Sequence, residues 1–493
     1  MVSKDLFLSL GELFLGSSLL FLLVFLVLLE NRTQKGFYSL IELVCYFSVF
    51  VLLIFCILTF NIVDINCMLF NNSLIVNKLI SFVKICLSLF VSIFLLSGMS
   101  YIKNLVTKSF EFVILILLSL FGMCFFLSSN DFLVMFLGVE LQTFCLYILS
   151  NFRRNRNLSS EAALKYYILG SLSTGLLVFG CSFVYAYSGL YNFVDLRNFL
   201  SSYSIYSEIS PGILLGLLFI FVGLLFKIGS APFHFWVPDV YEGVSVWLMS
   251  FFTIVVKVCV FTFFVRFYFC VLGFLMDIWS LYVCLAILCS VFVGSLGALV
   301  QINIRRLLAY SSILNGGFLL FGFLSKDFYG VVSVFVYLFI YMLTLLCVFL
   351  VLFGLVCHNK VELKRIDSLT NLLDYNFSLS LIFVISLFSI AGIPPLLGFF
   401  GKLLVLMSGI QEGFLFFGLV IILLNAIGVF YYIRLIKVIC FNRSVVFNKF
   451  LVPVQFWQAF FLSYLFLFLL GLIIYPNLVF DLVSDAVLSL YLF

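Results

Sequence analysis

Charge is what this sequence has least of. Asp, Glu, Lys and Arg together make up 10% of its 493 residues, while 65% are hydrophobic. A soluble domain carries about 25% charged residues, so this chain has too little polar surface to cover itself in water. That excludes the string of soluble domains its length would otherwise suggest. One domain solvated by lipid is expected instead. Histidine is scarce too: His234 and His358 are the only two, which argues against a histidine-rich metal site. The fourteen cysteines lie scattered in apolar segments without a C-x-x-C pair. Neither a disulfide framework nor a zinc or iron–sulfur site is expected of them, and such cysteines serve as small apolar fillers. No Walker-type or dinucleotide-binding glycine fingerprint occurs in a strand–helix setting. The chain itself is therefore expected to hold no cofactor and no metal, and to bind no nucleic acid.

What the chain has instead is long apolar runs. Crossing a bilayer core takes about 20 apolar residues in a helix. Runs of that kind lie near 6–29, 37–62, 77–100, 110–128, 132–150, 161–187, 212–231, 245–269, 278–300, 306–325, 328–357, 376–408, 413–440 and 454–475. The reading is an all-α, polytopic membrane protein with about fourteen transmembrane helices. The runs are continuous rather than alternating, which excludes a β-barrel. The first run exceeds the 7–15 residues of a signal-peptide core and reads as a retained span. A last apolar piece, 486–493, is too short to cross and is expected at the membrane interface.

The loop charges agree with that count. With the N-terminus on side one, side two collects Arg32, Lys35, Lys103, Lys108, Arg153, Arg154, Arg156, Arg305, Arg306, Lys360, Lys364, Arg365, Arg434, Lys437, Arg443 and Lys449, sixteen of the 26 Lys and Arg. Side one collects Lys4, Lys78, Arg197, Arg266 and Lys326. The excess makes side two the cytoplasmic or matrix side, with both termini on the other.

Five lysines remain inside spans: Lys84, Lys165, Lys227, Lys257 and Lys402, together with Glu12, Glu42 and Glu140. A charge at the bilayer centre costs several kcal/mol, with estimates from about 2.5 to more than 10, so such groups pair or line a wet cavity. Glu140 follows Asp131 by nine residues, about 13 Å along a helix, too deep for a carboxylate to reach water. Lys257 and Lys227 lie about twelve and fifteen residues into their spans, at 1.5 Å rise each. Lys165 sits shallower, and Lys84 is near enough to a span end to snorkel. A row of such groups with water between them can pass protons, and a static pair locking two helices is the competing role.

Two spans are interrupted, by FKIGSAPFHFWVPDVYEG at 226–243 and by GIPPLLGFFGK at 392–402. Proline breaks a helix, and in lipid such a break is tolerated beside a cavity. Each break has a lysine within eight residues, Lys227 or Lys402. Paired breaks point to inverted repeats around a midplane ion path. The expected organisation is an N-terminal three-helix segment (1–109), two inverted five-helix repeats (110–270 and 278–440), each containing a broken helix, and a C-terminal helix and tail (441–493). His234 follows the first break, either as a proton relay or as a donor holding the break. Tyr310, Ser311 and Ser312 suit a water wire or plain helix packing. The Arg153, Arg154, Arg156 cluster is read as a topology signal.

Four stretches carry a family resemblance: DFLVMFLGVEL around Glu140, FKIGSAPFHFWVPDVYEG, RRLLAYSSILNGG at 305–317, and GIPPLLGFFGK. Together they resemble the proton-translocating, antiporter-like membrane subunits of respiratory complex I. EAALKYYILGSLSTGLL at 161–177 is similar to the subunit 2 branch of that family, and Lys402 fits it where subunit 4 relatives usually carry glutamate. The resemblance implies that Glu140 pairs with Lys227, that Lys257 is the central relay, that Lys402 is the exit-side group, and that Lys165 sits beside Glu140. It implies flavin, iron–sulfur clusters and ubiquinone in partner subunits, and as partners the subunit 4 neighbour, subunit 4L and lipids such as cardiolipin. The 67 phenylalanines hint at the T-rich codons of an organelle genome, hence the mitochondrial inner membrane rather than a bacterial plasma membrane. Two other readings stand beside it, a subunit of a cation/proton antiporter and a structural scaffold with an idle channel.

Overall fold

The computed structural model describes residues 2–30, 37–99, 110–153, 156–202, 210–355, 364–442 and 454–492. A short helix, Val2–Leu8, leads into α1 (Leu10–Glu30), α2 (Phe37–Phe60), α3 (Lys78–Ser97), α4 (Glu111–Ser128), α5 (Phe132–Ser150) and α6 (Asn157–Ser188). Next come α7 (Pro211–Ile228), the short α8 (Trp236–Gly243) and α9 (Val246–Cys270), which contains a π-helical turn at Phe252–Val256. Then follow α10 (Met276–Leu299), α11 (Ile304–Phe321), α12 (Phe328–Gly354), α13 (Phe377–Ala391), α14 (Leu397–Gln411), α15 (Leu415–Cys440), α16 (Phe456–Ile474) and α17 (Asn477–Leu488). Thirteen helices among the described residues are long and apolar enough to cross a bilayer, and α13 and α14 are shorter apolar helices. Taken as one interrupted span, that pair completes the fourteen read from sequence.

Helix dominates because each segment satisfies its own backbone groups where no water can do so. Burial separates centre from rim. Every residue in the most apolar window of α9 is buried, against 28% for α1, α15 and α16. α9, α11 and α12 therefore form the core, and the apolar outer faces of the others meet lipid or neighbours. Glycine sets the closest approaches. A Cβ on Gly138 of α5 would lie 2.7 Å from the Phe126 nitrogen of α4, so only hydrogen fits there.

Several features depart from the sequence reading. A two-stranded hairpin, β1 (Cys67–Leu69) and β2 (Leu74–Val76), with Met68 opposite Ile75, fills the loop before α3. Its turn residue Asn72 offers its carbonyl to the amides of Asn130 (2.8 Å) and Asn192 (2.9 Å), and Asn192 also donates to Asp131 (2.9 Å). The C-terminal piece does not simply lie at the interface. Val483, Ala486 and Val487 of α17 are buried, and the Ser489 hydroxyl accepts from the Leu79 amide at 3.2 Å, because one apolar face of α17 has α3 to pack on. Arg266 is no loop residue. It is buried near the end of α9 and donates to the Leu127 carbonyl (2.5 Å) and to that of Ser129, supplying the donors that the C-terminus of α4 lacks. Arg32, Lys35, Lys103, Lys108, Arg154, Lys360, Arg443 and Lys449 lie outside the described residues.

Candidate functional site

The two breaks are built alike. α7 and α13 each end on a glycine in the left-handed region, Gly229 (φ 75°) and Gly392 (φ 84°), and each is followed by a cis X-Pro bond. A helix end leaves carbonyls without partners, and the two breaks satisfy theirs differently. At the first, the Leu225 carbonyl accepts from the Ser230 hydroxyl (3.2 Å) and the Phe226 carbonyl from the Trp236 indole (3.0 Å). At the second, the Ala391 carbonyl accepts from the Lys402 ammonium (3.2 Å).

Lys402 is 5% exposed. Besides Ala391 it donates to Asn425 Oδ1 on α15 at 3.0 Å, and its Nζ lies 4.9 Å from the centre of the Phe318 ring. Lys257 is 3% exposed, directly after the π-helical turn, and donates to the Ser312 carbonyl of α11 at 2.9 Å. Both ammonium groups are thus held by neutral oxygens. Lys227 is buried near the end of α7. Among the described residues no ion pair joins it to a carboxylate, and Glu140 is the charged group whose field reaches it.

The expected close Glu140–Lys227 pair is therefore a longer-range one. Lys227 lies sixteen residues beyond the start of α7, about 24 Å, against about 13 Å for Glu140 on α5 from the same side. Glu140 is half-buried, between the exposed Leu137 and Phe144 on one face of α5. Lys165 departs further from expectation. It is 42% exposed and paired with Glu161 and Asp239, both at 2.8 Å, and among the described residues no ion pair joins it to Glu140. Its place eight residues into α6 puts it level with α8, whose Asp239 and Glu242 also bind Arg306 (2.9 and 2.5 Å). His234 is buried; one side of its ring faces the Pro232 carbonyl, while Nδ1 meets no partner among the described residues. Ser230 and Trp236 hold the break beside it.

Lys84 does not snorkel. It is 4% exposed and paired with Glu12, itself 12% exposed, across α3 and α1. Two lone charges in different spans are better joined than separately exposed to lipid. The Ser311 and Ser312 hydroxyls turn back to the Leu308 and Ala309 carbonyls (2.8 and 2.7 Å), and Tyr310 packs on Gly297. Sequence reasoning missed Asn425 and the tyrosines of α12 and α15. An asparagine in an apolar run was the available signal for the first; tyrosine is too common at membrane interfaces to stand out. Among the described residues no group of three or more His, Cys, Asp or Glu is placed to hold a metal ion.

A sequence profile of the transmembrane family described as NADH:quinone oxidoreductase/Mrp antiporter matches residues 129–428. NADH-quinone oxidoreductase subunit N of Pelagibacter ubique is 37% identical over 437 residues, 88% of this chain and 89% of that protein. NADH-ubiquinone oxidoreductase chain 2 of Marchantia polymorpha is 33% identical over 373 residues, 75% of each. A chain of respiratory complex I from Thermus thermophilus shares the fold, with TM-score 0.79 and 24% identity over 96% of this chain and 99% of that one. A chain of the Mrp complex from Dietzia sp. does so with TM-score 0.82 and 18% identity over 100% and 98%.

Proposed function

Because the chain belongs to the NADH:quinone oxidoreductase/Mrp antiporter transmembrane family, we propose that it works as a proton-translocating membrane subunit of NADH:quinone oxidoreductase, with Glu140, Lys227, Lys257 and Lys402 as its relay. The observation that carries the relay is the way Lys257 and Lys402 are held, deep in the chain, by carbonyl and amide oxygens. A carboxylate partner would pin an ammonium in its charged form. A neutral oxygen accepts a hydrogen bond from either the ammonium or the amine, so the proton can leave without stranding a counter-ion.

Glu140 sets the field at Lys227, Lys257 is the central station and Lys402 the exit-side one. Lys165 and, beyond the first break, His234 belong to the side-two approach, a reading supported by the Lys165–Asp239 pair. Two inverted five-helix repeats, 110–270 and 278–440, frame the path; the support is that the fourth helix of each block is the one that is broken. Quinone reduction in other subunits supplies the driving force. Moving one charge against 100 mV takes about 2.3 kcal/mol, and switching one buried ion pair alters the field by about that much at an effective dielectric near 20.

The partners are other subunits of the complex. Within that assembly the reading extends to the subunit 4 neighbour, subunit 4L and cardiolipin, and to the mitochondrial inner membrane. Flavin, iron–sulfur clusters and ubiquinone belong to partner subunits. Lys257→Ala and Glu140→Ala, each in the intact complex, are expected to abolish most NADH-driven proton pumping while assembly survives. Full coupled pumping in both variants would instead mark the chain as a scaffold, and competition by sodium would favour a cation antiporter.

A further inference from the structure

Arg197 and Arg266 are two of the few cations toward side one, and the fold brings both to one cavity. The cavity, about 420 Å³, lies where the side-one ends of α3 and α9 meet the C-terminal tail and the short helix Phe193–Ser202. Asn77, Asn130, Arg197 and Arg266 give it a polar wall, and Phe193, Phe267 and Leu490 belong to its apolar one. No carboxylate is among the described residues that line it. Cys270 lines it too, and the fields of both guanidiniums reach that thiol. The acidic groups at this end of the molecule stand outside the cavity: Asp131 accepts from Asn192 at 2.9 Å, and Asp195 is exposed.

Two features call for a ligand. Arg266 is 4% exposed, and its guanidinium donates to the carbonyls of Leu127 and Ser129. A guanidinium has more donors than these and stays charged, and neutral oxygens do not cancel that charge. A buried charge persists where an opposite one pairs with it. Asn77, the residue before α3, is 2% exposed, and its Oδ1 meets no hydrogen-bond partner among the described residues. The cavity therefore offers two cationic forks to an anion and a buried acceptor to a donor. The planar fork matches the oxygens of a phosphate. A phosphate diester that also carries a hydroxyl satisfies both demands, and the apolar wall takes the carbons beside it. Basic pockets between membrane helices bind anionic headgroups in this way, and the ends of α3 and α9 set the cavity at headgroup level.

Resting on the lipid contact proposed above, and independent of the relay, we infer that this cavity binds the glycerol-phosphate headgroup of an anionic phospholipid in the side-one leaflet. The phosphate meets Arg197 and Arg266, and the headgroup hydroxyl donates to Asn77 Oδ1. A choline headgroup has the phosphate but no donor for Asn77, and its own cation is repelled by the two guanidiniums. Because Leu490 and Arg266 line the same cavity, the lipid joins the C-terminal tail to α9.

The test uses the intact complex, purified and stripped of lipid in detergent, with Cys270 as a local probe. Its labelling by N-ethylmaleimide is read by mass spectrometry of the peptide that contains it. Phosphatidylglycerol is expected to protect Cys270, and phosphatidylcholine and soluble glycerol 3-phosphate at the same concentration are not. Arg197→Gln should raise the phosphatidylglycerol needed about tenfold, the scale of one charge-assisted hydrogen bond, and Arg197→Lys should restore most of the protection. No protection by phosphatidylglycerol, equal protection by phosphatidylcholine, or equal protection in parent and Arg197→Gln overturns the site. Protection by glycerol 3-phosphate at the lipid's concentration overturns the lipid as its occupant. Lipids extracted from the unstripped complex separate this site from the reading it rests on. Anionic phospholipid found there while the site fails leaves the lipid contact standing, and its absence removes both. Should the variant fail to assemble or Cys270 fail to react, a high-resolution map of the parent complex decides. Density for a phosphate within hydrogen-bond distance of both guanidiniums supports the site, and a partner subunit's carboxylate or closed packing there overturns it.

Discussion

Lys84 and Lys257 are both buried lysines, but their partners differ in kind. Lys84 meets the Glu12 carboxylate, whereas Lys257 meets a carbonyl. The first arrangement fixes a charge and the second leaves it free to move, so the two lysines call for different tests. Removing one member of a buried pair costs about 3–5 kcal/mol, because the other charge is left bare. Lys84→Met is therefore expected to lower the thermal stability of the purified complex sharply, and Glu12→Gln/Lys84→Met to recover much of the loss. Equal loss in single and double variants would mean that packing, not charge, is at stake. Asp131, at the side-one end between α4 and α5, is pushed up to about 6 by burial, against the lowering hydrogen bond from Asn192. A carboxyl raised in the folded state binds protons that the unfolded chain has released. Its contribution is thus fully present below the ordinary carboxylate range, about 4, and is lost as pH rises to about 6. In Asp131→Asn that part of the pH dependence of melting temperature is expected to vanish; a profile unchanged from the parent would remove Asp131 as its source.

At the scale of elements, the second break shows how a helix end and a functional side chain depend on one another. Gly392 takes φ 84°, and a Cβ there would lie 2.9 Å from Lys402 Cδ. Gly189 takes φ 70° with nothing within 4 Å of its Cβ position. Gly392→Ala and Gly189→Ala should each lose about 1–3 kcal/mol to backbone strain. Only the first is expected to reduce pumping, by pushing Lys402 away from Asn425. Equal pumping in the two would show that the position of Lys402 is not critical. Both breaks were legible as Gly–Pro clusters in apolar runs. Which donors satisfy their free carbonyls was not, since Trp236 lies ten residues from the carbonyl it serves and Lys402 eleven from its own.

Across the whole molecule, an ionic belt of Glu161, Lys165, Asp239, Arg306 and Glu242 ties α6, α8 and α11 together near the side-two ends of the spans. Its members are 24–59% exposed, and pairs of that kind are worth about 0–1 kcal/mol. Asp239→Asn is accordingly expected to shift stability by less than about 1 kcal/mol. A loss as large as that of Lys84→Met would show that partner subunits bury the belt.

The helix count, the two breaks and the depth of Lys257 and Lys402 follow from the sequence alone, because the length of an apolar run and the position of a charge within it are properties of one segment measured against a bilayer of fixed thickness. Pairings across helices do not follow in this way. That Glu12 finds Lys84, that Glu140 stands off from Lys227, and that tyrosines from α12 and α15 converge on Asn315 depend on the rotation and vertical offset of each helix against its neighbours. Side-chain packing of the whole bundle sets those quantities, and no single run encodes them.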